Sequence, residues 1–155
     1  MKNTMIKECQ AYLEKKGDFT LSHSSKMGMM DINMSEADAY LRYHRDLSFH
    51  ERLFILIDRS GKKDSQIYKK ARIDRRLFSK IRSIENYIPS KKTVIALCLG
   101  LELNKEESDA LLASAGYSLS HAEDYDLVIS FCIHKKIYDF YDINEILHHF
   151  GFECF

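Results

Sequence analysis

Between Asp64 and Ile84 the chain reads DSQIYKKARIDRRLFSKIRSI, and this stretch leaves few folds open. Its apolar residues, Ile67, Ala71, Ile73, Phe78 and Ile81, recur at helical spacing on either side of a break near Arg72. The spacing predicts two short helices joined by a tight turn, each with one inward face. Arg75, Arg76, Ser79, Lys80 and Arg82 then point away from the core.

Two such helices cannot bury their apolar faces alone, so the neighbouring segments must close a core around them. Ser48, with Glu51 three residues on, is a capping-box signal. Phe49, Leu53, Phe54, Leu56 and Ile57 then form a broad apolar face that Gly61 ends. Ser83 to Pro89 reads as a loop, and Ser90 caps a helix that is apolar nearly all round through Val94, Ile95, Leu97, Cys98, Leu99 and Leu101, which places it in the middle of the domain. Asn104 with Glu107 opens a further helix containing Ser108, Leu111, Leu112 and Ala115, and Gly116 stops it. Five helices suffice for a small bundle over residues 47–119.

Residues 120–155 add two more helices, one carrying Tyr125, Leu127, Val128, Ile129, Phe131, Cys132 and Ile133, the other Ile143, Ile146, Leu147 and Phe150. The closing GFECF is apolar and is expected to pack on the domain, with a dimer or partner contact as the alternative. At the other end, Asn3 to Lys16 has one helical apolar face in Met5, Ile6, Cys9, Tyr12 and Leu13. Asp18 to Met34 reads as a linker with a methionine patch that is expected to pack on the domain, with a partner contact as the alternative. A short helix from Ser35 follows, with Tyr40, Leu41 and Tyr43 as its expected contacts. Residues 1–46 thus form a helical appendage. With one proline in 155 residues and no strand-like alternation, the predicted class is all-α.

Net charge is zero, but it is segregated. From Arg59 to Lys92 there are 12 Lys+Arg against 3 Asp+Glu; from Glu102 to Phe155 there are 3 against 11. A basic segment lies inside an acidic frame, which fits a polyanionic partner, an acidic protein, a second copy whose acidic half covers the basic middle, or simply a solvated basic face. The four cysteines are far apart in apolar patterns and are expected as reduced, buried thiols. No run approaches a membrane span and the start lacks a secretory pattern, so the chain is expected to be soluble and cytoplasmic. Cys132, His134, His148, His149 and Cys154 are metal-ligand types at spacings that send them to different helix faces. There is no phosphate-cradling glycine loop, paired-carboxylate constellation or nucleophile with a base, so neither a cofactor nor an enzyme is expected.

Ser48 to Tyr117 resembles the five-helix DNA-binding domain of the lambda-repressor and Xre class, in which DxxIxxxAxI, a turn, RRxFSKI and a Pro-led apolar helix occur in this order. A closer resemblance, over Ser48 to Phe150, is to the helical tail that follows the macro domain in some bacterial macro-domain proteins. It is carried by IYKKARIDRRLFSKIRS, YIPSK, LEL, AGYSLSH and YDINEIL. Tyr68 stands where the repressor class carries a small residue, Arg72 where it carries a turn glycine, and Arg82 where it carries a glutamate. The resemblance implies an Xre-like helix-turn-helix bundle with helical N- and C-terminal extensions that binds double-stranded DNA as a dimer in transcription regulation. Arg75, Arg76 and Ser79 would face base edges, and Lys69, Lys80, Arg82, Lys91 and Lys92 would meet phosphates. Leu77 is expected near the exposed side, where it would touch a thymine methyl or a protein. The alternative is a non-enzymatic protein-interaction module, the partner or neutraliser of another bacterial stress or phage-defence factor.

Overall fold

A computed structural model describes residues 32–155. The expected helix over Asn3 to Lys16, the methionine patch and Cys9 lie outside the described residues. Every regular element among the described residues is helical, and none is long and apolar enough to cross a membrane. The chain divides into two compact units, Met1–Arg45 and Asp46–Phe155.

In the first unit, helix α1 (Met34–His44) is started by Asn33, whose side-chain oxygen accepts from the Ser35 and Glu36 N–H groups. It buries none of its residues. Tyr40, Leu41 and Tyr43 are largely exposed, and the Tyr40 ring stacks on His44 one turn on.

The second unit holds seven helices: α2 (Phe49–Ser60), α3 (Asp64–Lys70), α4 (Arg75–Ser83), α5 (Lys91–Gly100), α6 (Lys105–Ser114), α7 (Asp124–His134) and α8 (Phe140–His149). Residues 47–119 and 120–155 share one core, since Ile129, Cys132, Ile143 and Leu147 cluster with Leu53, Ile67, Ile81 and Leu97. Both capping boxes form. Ser48 and Glu51 exchange bonds at the start of α2, as Asn104 and Glu107 do at the start of α6. Helix α5 is buried over every residue from Val94 to Gly100 and packs between α3 and α6. Fully burying Ile95, Leu97 and Leu99 stabilises the unit by about 1.5–3 kcal/mol each. Gly100 is required there: a Cβ on it would lie 2.9 Å from the Ala71 Cβ at the end of α3.

Five helices stop in the same way. After α3, α5, α6, α7 and α8, the second residue past the helix takes a left-handed conformation, at Arg72, Glu102, Gly116, Lys136 and Gly151. The next residue then returns its N–H to a carbonyl in the last turn: Ile73 to Tyr68, Leu103 to Cys98, Tyr117 to Leu112, Ile137 to Cys132 and Phe152 to Leu147. This is the Schellman arrangement, with an apolar residue closing each turn onto the core. Three of the five positions lack glycine and carry the steric cost of left-handed backbone. Arg72 and Glu102 use their side chains in contacts, the latter with Lys62 and Lys70. The hydrogen bond from Lys70 holds the Glu102 carboxyl below the usual carboxylate range. Lys136 has no such side-chain partner among the described residues. Lys136→Gly should therefore stabilise the protein by about 0.5–1 kcal/mol, relief of strain exceeding the entropy gained by the unfolded chain. A higher urea midpoint at unchanged slope would show it.

Cys98 and Cys132 are buried free thiols and Cys154 is half-buried. Burial pushes the Cys98 thiol up to about 12 and that of Cys132 up to about 11, so neither supplies a thiolate near neutral pH. The closing segment packs down: Phe155 sits edge-on to Phe140 and exchanges two hydrogen bonds with the Asn144 side-chain amide.

Candidate nucleic-acid interface

Helix α4 begins at Asp74, whose carboxylate accepts from the Arg76 N–H at 2.8 Å. Phe78 and Ile81 anchor the helix in the core, and Phe78 meets the half-buried Tyr68 ring at 5.6 Å between centroids. Tyr68, in place of a small residue, thus fills the space between α3 and α4. Arg72, in place of a turn glycine, adopts the left-handed conformation a glycine would take. Leu77 is half-buried and packs against the core, not displayed on the outer side. It lies beside Phe78, which with Ile81 anchors the helix in the core.

Arg75, Arg76, Ser79 and Lys80 are all exposed on the outer face of α4, and Lys69 is exposed on α3. The side chains of Lys63, Lys69, Arg75 and Arg76 have no ion-pair or hydrogen-bond partner among the described residues. The Lys80 ammonium lies 4.4 Å from the Tyr87 ring centroid, an exposed cation–π contact that leaves its outer side to solvent.

The remaining basic side chains of this segment are engaged within the chain. Arg82 forks onto Asp64 at 2.5 and 2.6 Å and stacks over Phe54, while its carbonyl bonds the His50 ring. It therefore staples the end of α4 to the start of α3 and to α2. Lys91 reaches the buried Asp126 at 2.7 Å, and Asp126 also accepts from the Ser120 N–H. Lys92 bonds the Cys154 carbonyl at 2.9 Å and Glu153 at 3.1 Å. Arg59 pairs with Glu107, Lys62 and Lys70 with Glu102, and Arg72 donates to the Phe155 carbonyl. The acidic half of the chain thus meets the basic middle of the same chain.

Of the eight residues expected to touch DNA, the fold gathers Lys69, Arg75, Arg76, Ser79 and Lys80 on α3 and α4, and uses Arg82, Lys91 and Lys92 as braces. Sequence order gave no sign of those pairings because the partners of Lys91 and Lys92 lie 35 and more than 60 residues away. Lys63 joins the unpaired set, and the charge run it belongs to was its only signal.

The first turn of α4 carries two arginines and no acidic residue. Cations there oppose the positive end of the helix dipole, at a cost of about 0.3–1 kcal/mol each. An anion placed against Arg75 and Arg76 would offset that cost; the amide end itself already holds the Asp74 carboxylate, which takes the Arg76 N–H. No protein-family model, no curated protein and no solved structure matches this chain.

Proposed function

We propose that this protein is a helix-turn-helix DNA-binding protein of the Xre-like kind, a dimeric regulator of transcription in which α4 enters the major groove. The observation that carries the reading is the pair Arg75 and Arg76, exposed and unpaired on a helix turn that disfavours cations, while seven other basic side chains of the same segment are engaged. Two unpaired arginines in the first turn of a helix, where only the Asp74 cap supplies a favourable charge, are a local conflict of the sort that functional sites retain. Arg75 and Arg76 donate to the O6 and N7 acceptors of guanine, and Ser79 stands one turn on, at the next base edges. Lys69, Lys80 and Lys63 meet phosphates, while Arg82, Lys91 and Lys92 hold the frame.

The test is fluorescence anisotropy of a labelled pool of genomic fragments at two salt concentrations. Binding should be tight and fall steeply with salt, and Lys69→Ala should weaken all fragments alike while lowering the slope of log K against log salt by about 1. Affinity no better than the non-specific range of about 10⁻⁴–10⁻⁶ M would overturn the reading.

A further inference from the structure

Away from the basic segment, α7 and α8 form a hairpin whose outer side is an open apolar groove of about 770 Å³. Leu127 and Phe131 from α7 and Phe150 after α8 line it at 41%, 48% and 59% exposure, with Ile146 in its floor. Large apolar side chains grouped this way on a surface mark an interaction site. The walls are helices whose backbone groups are used internally, so no strand edge is on offer to an extended peptide. What fits is a set of apolar side chains on a backbone that satisfies itself, an amphipathic helix.

The rim specifies its charge. Asp124 and Glu145 border the groove, both exposed and both without a side-chain ion-pair partner among the described residues. His149 is the one titratable base in the lining, which contains no lysine or arginine. Of the other carboxylates near α7, Asp126 is spent on Lys91 and Glu153 on Lys92, while Glu123, just before the helix, is exposed and has no side-chain partner among the described residues. An acidic rim around an apolar centre disfavours a second copy docking face to face, because like carboxylates would approach one another. We propose that this groove binds a basic amphipathic helix of another protein, its apolar residues between Phe131 and Phe150 and its cations against Asp124 and Glu145. The site is distinct from the α3–α4 surface and does not depend on DNA binding.

Two labelled synthetic peptides of about 16 residues, roughly four turns, test this against the full chain. They share one leucine stripe, and differ in having lysine or glutamate beside it. The lysine peptide should bind at least about tenfold more tightly than the glutamate peptide in low salt. Phe131→Ala should remove most of that affinity, and the double variant Asp124→Lys, Glu145→Lys should reverse the preference. All of these positions are exposed, so circular dichroism should show the variants folded. Equal binding of the two peptides, no binding, or a preference that survives the charge swap would overturn the proposal. So would sedimentation showing a dimer that Phe131→Ala dissociates, since a second copy would then be the occupant.

Discussion

Replacing Arg75 and Arg76 together by alanine is expected to weaken binding to the preferred DNA site by roughly 2–6 kcal/mol, taking about 1–3 kcal/mol for each lost base contact. Weak, salt-dependent binding to any duplex should persist through Lys63, Lys69 and Lys80. The same double variant should leave thermal stability unchanged or raise it by up to about 2 kcal/mol, about 0.3–1 kcal/mol for each arginine, because both oppose the dipole of α4 and have no partner among the described residues. These two readouts move in different directions only if the arginines serve a ligand. A fall in binding matched by a fall in melting temperature would make them structural. Arg82→Ala is the contrast. It breaks the fork onto Asp64 and the stacking over Phe54, so it should lower stability first and binding only as a consequence.

Gly100→Val should destabilise the second unit by roughly 3 kcal/mol, a drop on the order of 10 °C in melting temperature. The added Cβ would meet the Ala71 Cβ at 2.9 Å and its Cα at 3.3 Å, and the branch has no room to turn away inside the buried α5. Gly100→Ala meets the same contact but gains about 1 kcal/mol of helix propensity, so its cost should be smaller, near 1–2 kcal/mol. Urea titration of the three proteins at equal slope checks the order. A neutral or stabilising valine would mean that α3 can slide on α5, and the turn at Arg72 would then not be fixed by packing.

The helices were legible because each has a local signature. Ser48 with Glu51 and Asn104 with Glu107 announce their helices by side chains three residues apart, and both boxes form. The all-round apolar run from Val94 was legible as a central helix for the same reason: burial on every side leaves no polar stripe. Arg72, Glu102 and Lys136 gave no such signal. They occupy left-handed turns where glycine is the usual mark, and packing of the apolar residue that follows imposes a conformation that propensity disfavours. The outward face of α4 followed from the period of its apolar residues. Which of its neighbours' charges stay unpaired did not, because the pairing of Lys91 with Asp126 and of Lys92 with the closing residues is made by tertiary contact alone.

That internal pairing also governs how whole molecules meet one another. Six cations of the basic segment pair with five carboxylates, so within the second unit the unpaired positive charge on α3 and α4 and the unpaired negative charge on α7 and α8 form patches of opposite sign on a chain of zero net charge. A neutral chain lacks the mutual repulsion that keeps proteins dispersed, while patches of opposite sign on neighbouring molecules attract. Concentrated solutions near neutral pH should therefore clear on adding salt, the reverse of ordinary salting-out, because screening weakens the attraction between patches of opposite sign.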